Sequence, residues 1–158
     1  SGQSNWSVDN MAVWYSLIIS LRDFLRSQTS LDGIKIDAGA LNPQDYLKDV
    51  QTGAIFVMRD REGKEKLYKG GEGEASFFVE CWTRSNDKDP AVGYGLLSDL
   101  EDKFTTALTA WATLSGPPLT VADTIEIDVE ETLGDADMKR PLLGSRKAIR
   151  VVWSKRTL

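Results

Sequence analysis

Residues 77–111 read FFVECWTRSNDKDPAVGYGLLSDLEDKFTTALTAW, and this stretch decides the fold. Its first part predicts a strand in which large side chains occupy both alternating sets of positions, so both faces of the strand carry bulk. Residues 87–90 end that strand and prepare a helix, because proline fits the first helical turn. The helix that follows carries one apolar stripe, made of Leu96, Leu97, Leu100, Phe104, Ala107, Leu108 and Trp111.

A second amphipathic helix is predicted before this unit. It begins near Asp9 or Asn10, either of which can cap free backbone N–H groups, and it ends within residues 27–30. The most apolar run, residues 12–21, is too short for a helix to cross a hydrocarbon layer of about 30 Å. We expect residues 1–8 to be disordered or derived from a tag. The apolar face of the helix consists of Val13, Trp14, Leu17, Ile18, Leu21 and Leu25.

The remaining pattern predicts strands and the connections between them. Apolar alternation or continuous apolar runs mark strands at residues 33–37, 54–59, 76–82, 124–131 and 148–154. Residues 67–68 suggest a short returning strand, 69–74 a glycine-rich loop or bulge, 44–50 a turn or two of helix, and 133–147 a long loop. This order predicts a single α+β domain over residues 1–158, with a mostly antiparallel β-sheet and two α-helices packed on one face.

Composition narrows the range of functions. The chain has 158 residues, of which 41% are hydrophobic and 27% charged, as in ordinary globular domains. Its net charge of -5 argues against tight binding of nucleic acid, which needs a basic surface. There is one cysteine, Cys81, and no histidine, so an internal disulfide is excluded, and a histidine-activated nucleophile and a structural zinc site are disfavoured. We expect no catalytic residue, no cofactor and no metal site.

Three acids on the strand at 124–131 are the clearest charged feature. They recur at every second residue, which aligns them on one face of a strand while Ile125, Ile127 and Val129 point inward. A solvated face is the usual meaning of such alternation; an electrostatic surface role, and a metal or acid–base role, remain as alternatives. The acids are Glu126, Asp128 and Glu130.

Trp82 raises a separate question, because it points away from Phe77, Val79 and Cys81 on the same strand. An apolar side chain on that face would be explained by a sheet covered on both faces within one chain. It would also be explained by contact with a neighbouring subunit.

The segment VECWTRSNDKDPAVGYGLLSDLEDKFTTAL, residues 79–108, resembles the tail-terminator and minor tail proteins of long-tailed bacteriophages. Members of this group show a strand that ends in an aromatic-x-Arg-Ser segment, followed by a polar turn and an amphipathic helix. Here the segment is Trp82-Thr83-Arg84-Ser85. The helix near the N-terminus, the long loop expected before the last strand and the chain length also agree with the group.

The resemblance implies a structural role without catalysis. Such proteins form a ring, usually of six subunits, that stops polymerisation of the tail tube and meets the head connector. The implied partners are further copies of the chain, the tail-tube protein and the head-connector protein, within a virion tail assembled in the bacterial cytoplasm. DNA would pass through the ring without tight binding, because an acidic lumen repels it. No binding residue is carried over from the group; the candidates in this sequence are Glu126, Asp128 and Glu130 for the lining of the lumen, and Arg84, Lys139, Arg140 and Arg146 for contacts with other subunits or the tube.

Two other hypotheses come from different functional classes. A small-ligand binding module or enzyme would need a deep pocket with convergent polar groups. A protein–protein adaptor could dock a partner along a sheet edge, for which residues 67–68 are the predicted position.

Overall fold

The computed structural model of the chain describes residues 13–39, 53–59, 66–67, 73–113, 124–133 and 141–154. Within these residues the fold is α+β, with two helices packed on one face of a mostly antiparallel sheet. The predicted fold class is therefore confirmed. The predicted helix start at Asp9 or Asn10 and the predicted helical turns at residues 44–50 lie outside the described residues.

The α-helices and strands are α1 (Val13–Ser27), β1 (Lys35–Ala38), β2 (Ala54–Arg59), β3 (Lys66–Leu67), β4 (Gly73–Arg84), α2 (Pro90–Ala112), β5 (Thr124–Leu133) and β6 (Leu142–Ser154). The sheet has the strand order β1-β2-β4-β6-β5, and the short strand β3 pairs with the beginning of β4. Strand β1 runs parallel to β2, whereas the other neighbours are antiparallel.

Helix α2 begins as its sequence predicts. A carboxylate oxygen of Asp89 accepts a hydrogen bond of 3.0 Å from the backbone N–H of Ala91, and Pro90 occupies the first turn. The predicted apolar stripe is buried except for Leu96, which is 42% exposed because it lies at the margin of the stripe near the start of the helix. The buried residues are Gly93, Leu97, Leu100, Phe104, Ala107, Leu108 and Trp111.

Both helices bury their apolar faces against the same side of the sheet. Trp111 is fully buried there, and its indole N–H donates a hydrogen bond of 3.0 Å to the hydroxyl of Ser20 on α1. This bond satisfies the polar atom of a buried tryptophan and joins the two helices. The fully buried residues of this core include Leu17, Leu21, Leu25, Ile55, Val57, Phe77, Val79, Phe104 and Ile149.

The opposite side of the sheet, here called the second face, carries its own apolar cluster. Trp82 belongs to it, which supports the explanation that both faces of the sheet are packed within one chain. The cluster consists of Ala54, Phe56, Met58 and Leu142, with Phe78 and Trp82 packed against it.

Two predicted connections turned out to be partly strand. The prediction of a loop or bulge at residues 69–74 is wrong for Gly73 and Glu74, which begin β4 and pair with β6. The prediction of a long loop at residues 133–147 is wrong at both ends, since β5 includes Leu133 and β6 begins at Leu142. Residues 142–147 can form a strand although they include two cations, because Arg146 forms an ion pair with Glu80 and Lys147 forms one with Glu101.

Candidate functional site: the second face and the edges of the sheet

A glycine on the second face makes room for the indole ring of Trp82. Gly144 on β6 lies opposite Trp82 on β4 in the ladder. A Cβ atom at residue 144 would come within 2.6 Å of the Trp82 indole ring, closer than two such atoms can lie. The absence of a side chain at residue 144 therefore lets the indole lie against the backbone of β6.

A buried carboxylate lies beside this tryptophan. Glu80 is only 9% exposed, and one of its oxygens accepts a hydrogen bond of 3.2 Å from the indole N–H of Trp82. The other oxygen accepts two bonds from Arg146, 3.0 Å from Nε and 2.9 Å from Nη2. The guanidinium of Arg146 also lies 5.2 Å from the ring centre of Phe78. Both oxygens of Glu80 are thus occupied, and Arg146 compensates the charge that burial would otherwise penalise.

A second arginine links three strands further along the same face. Arg150 on β6 donates to Glu74 on β4 and to Asp128 on β5, the latter at 3.1 Å. The hydrogen bond that Arg150 donates to Glu74 and the charge of that carboxylate raise the pKa of Arg150, with a smaller contribution from Asp128. The side chain of Asp128 is 77% exposed, so this bridge lies at the surface.

The acids predicted to line a lumen lie along β5. Asp128 and Glu130 are both exposed, and the ladder register aligns Glu126 with them, although the side chain of Glu126 lies outside the described set. Val129 lies on the helix-covered side of the sheet, opposite Ile149, as its place in the alternation predicts, but it is not buried there, because its side chain is 48% exposed. Strand β5 ends the sheet, so among the described elements nothing lies beyond Val129 to cover it.

Two of the four cations predicted to contact other subunits or the tube lie within the described residues. Arg84 and Arg146 lie on the same face of neighbouring strands, Arg84 opposite Leu142 and Arg146 opposite Glu80. The pairing of Arg146 with Glu80 gives that arginine a role within the chain, and its side chain remains 38% exposed. The other two residues of the prediction, Lys139 and Arg140, lie outside the described residues.

A polar cluster inside the helix-covered side was not predicted. Lys147 on β6 forms an ion pair of 2.7 Å with Glu101 on α2, and the hydroxyl of Ser145 donates to the same carboxylate oxygen at 3.2 Å. The sequence did carry a signal, because Lys147 is in phase with Ile149 and Val151, which both point into the core.

Cys81 lies close to this cluster and is fully buried. Burial raises the pKa of its thiol to about 12, and the negative charge of Glu101 acts in the same direction. A thiol with such a pKa is protonated at neutral pH and is a poor nucleophile.

Few features within the described residues suit small-molecule chemistry. They contain no group of three or more histidine, cysteine, aspartate or glutamate side chains placed to hold a metal ion. An open cleft lies at the start of α2, lined by Ser85, Asn86, Asp87 and Pro141.

Within the described residues, no helix is both long and apolar enough to cross a membrane.

The two edges of the sheet differ in how they are protected. The backbone N–H groups of Lys35 and Gly39 donate to the carbonyl groups of Gly53 and Val57, at β2. Because successive residues of a strand direct their backbone groups to opposite sides, those of Ile36 point to the outer edge of β1. There Nε of Arg26, from α1, donates a bond of 2.8 Å to the Ile36 carbonyl, and its Nη2 binds the Asp37 carboxylate at 2.8 Å. An α1 side chain therefore caps the β1 edge.

The opposite edge has a different character. Among the described strands, β5 pairs only with β6, over a register that runs from Thr124 to Leu133. A bulge between Glu131 and Leu133 interrupts the ladder near the end of the strand. The middle of β5 is exposed on both faces of the sheet, as Asp128, Val129 and Glu130 show.

No family model matches this chain, and a comparison with curated protein sequences finds no relative.

Proposed function

We propose that this chain is a structural protein of a phage or prophage tail. It forms a ring, of six subunits by analogy with the group it resembles, that caps the tail tube. The ring ends polymerisation of the tube protein and presents the surface that the head connector meets. Binding between subunits and at the two ring faces does this work, and no covalent chemistry is involved.

The observation that carries the proposal is the folding of the segment on which the resemblance rests. Residues 79–108 contribute the end of β4, the polar turn after it and most of α2, whose N-cap is Asp89. The Trp82-Thr83-Arg84-Ser85 segment ends β4, as the pattern of the group requires. The helix near the N-terminus, which also agrees with the group, is α1 (Val13–Ser27).

The surface of the subunit is compatible with a ring. A closed ring joins one surface of a subunit to a different surface of the next. The described residues supply two unlike sheet edges, one capped by Arg26 and the other open along β5. An acidic strand at the open edge also suits a lumen, because negative charges there would keep passing DNA from binding.

Light scattering on the purified chain tests self-association. A hexamer has six times the 17.5 kDa mass of one chain, about 105 kDa. We expect particles of that mass at high protein concentration or after addition of tail-tube protein. A chain that stays monomeric under both conditions contradicts the ring.

One observation favours a second function, that of a protein–protein adaptor. The predicted docking edge at residues 67–68 is only half described, because β3 includes Leu67 but not Tyr68, and β3 pairs with β4. The open edge of β5 offers a longer docking position than β3 does. An affinity purification that returns one host protein instead of tail components would support the adaptor.

A further inference from the structure

We infer that the β5 edge binds an extended segment of another protein, one in which basic and apolar residues alternate. The added segment would form a further strand of the sheet, beside residues 124–131. The inference concerns this edge alone and does not depend on the proposed tail function.

The backbone of β5 favours the addition of a strand at this edge. In an antiparallel pair, alternate residues of β5 direct their N–H and C=O groups to β6, and those between direct theirs outward. The outward groups form a template for strand addition. The β1 edge has the same template, but Arg26 occupies its Ile36 carbonyl. The same protein thus caps one edge with a side chain and leaves the middle of the other exposed.

The exposed side chains of β5 favour a segment in which basic and apolar residues alternate. Val129, on the helix-covered side of the sheet, is 48% exposed at this edge and would be covered by an apolar residue of an added strand. Asp128 and Glu130 point to the second face and are exposed, so basic residues of the added strand would lie beside them. Alternation of basic and apolar residues in the added segment follows from this arrangement.

The charges also argue against a second copy of β5 as the occupant. Residues 124–131 contain Glu126, Asp128, Glu130 and Glu131 and no basic residue. Pairing two copies of this strand would bring like charges together, and such pairs are unfavourable across strands. Among the described side chains, Arg150 offsets the charge of Asp128, which it binds, and residues 124–131 remain acidic by composition.

A peptide-binding measurement tests the inference. The probe is an acetylated octapeptide in which lysine and valine alternate, titrated into the full chain and followed by calorimetry. Two matched peptides serve as controls: one alternates glutamate and valine, and the other is the lysine peptide methylated on alternate backbone nitrogens. We expect binding of the first peptide alone, because the second has the wrong charge and the third has lost N–H donors needed for the ladder.

Protein variants locate the binding site. Glu126→Lys combined with Glu130→Lys reverses two charges of the edge and leaves the Asp128–Arg150 pair in place. Its control reverses two exposed carboxylates elsewhere, Asp32→Lys and Asp102→Lys. We expect the edge variant to bind the lysine peptide at least about 10-fold more weakly, and the control variant less than about 3-fold more weakly.

Hydrogen exchange then distinguishes strand addition from attraction by net charge. In the complex, amides of residues 124–131 should exchange more slowly than in the free protein. Equal binding of the methylated peptide, an equal loss in both protein variants, or unchanged exchange in β5 would each overturn the inference. None of these results bears on the size of tail rings, so the proposed function is tested separately.

Discussion

The close approach of Trp82 to Gly144 makes residue 144 sensitive to a single methyl group. We expect Gly144→Ala to lower the free energy of unfolding by about 1 to 3 kcal/mol, because the rigid indole must move away from the new Cβ atom. Urea denaturation measures the change. Gly95→Ala is the control, since nothing lies within 4 Å of a Cβ atom there and the helix should gain about 0.5 to 1 kcal/mol. A loss of stability as large in the control would contradict the explanation.

The pair formed by Glu80 and Arg146 predicts an asymmetric response to substitution. Arg146→Leu leaves a buried carboxylate with only the indole N–H as partner, which should cost about 2 kcal/mol of stability. The double variant Glu80→Leu with Arg146→Leu should recover part of that loss, because no uncompensated charge remains. Lys103→Leu, which removes an exposed helical ion pair, should change stability by less than about 0.5 kcal/mol. Equal stability of the single and double variants would show that burial of the carboxylate costs little.

Cys81 predicts a dependence of stability on alkaline pH. Its pKa is about 12 in the folded chain against an ordinary value of 9.0, so the thiol contributes its full stability below pH 9. Above pH 9 the unfolded chain loses its proton first, and stability falls as the pH rises towards 12, by at most about 1.4 kcal/mol per pH unit. The variant Cys81→Ala lacks this contribution. Urea denaturation of both proteins from pH 8 to 10.5 should show the difference between them shrinking above pH 9; a constant difference contradicts the burial argument.

Helix α2 depends on its cap at the level of the element. Asp89→Ala removes the acceptor for the Ala91 N–H group, and we expect a loss of about 1 kcal/mol in unfolding free energy. Asp89→Asn keeps an oxygen acceptor and should lose much less. Urea denaturation compares the two variants. If both lose the same amount, the charge of Asp89 rather than its hydrogen bond stabilises the helix.

Elements with one clear period could be predicted from the sequence. The stripe of α2 and the continuous apolar run of β2 need only local patterns, and both elements formed where the pattern placed them. The ends of β4 and β6 could not be predicted in this way. Gly73 and Gly144 have low strand propensity, and they join the ladder because partners distant in sequence pair with them.

Parts of the candidate site depend on the same distant contacts. The alternation of acids along β5 predicted exposed side chains at Asp128 and Glu130, and both are exposed. The same pattern gave the wrong environment for Val129, because alternation assigns a residue to a face but does not tell whether its strand is central or at an edge. The pairing of Arg146 with Glu80 required knowing that β4 and β6 are neighbours.

The features of the whole molecule that support the proposed function are the shape of its sheet and the placement of its charges. The partly buried ion pairs of Arg146 with Glu80 and of Lys147 with Glu101 stabilise a sheet whose two edges differ. Cys81, the only cysteine, is buried and protonated at neutral pH, so it offers no reactive group. We propose that the chain assembles with further copies of itself at the end of a tail tube.

The length of tails made without this chain tests the central claim most directly. In a phage or prophage that encodes it, the gene would be deleted and the tails measured in electron micrographs, with a strain that carries the intact gene on a plasmid as control. We expect tubes of widely varying and excessive length in the deletion strain and a single length in the control. Tails of uniform, normal length in the absence of the chain would contradict the account.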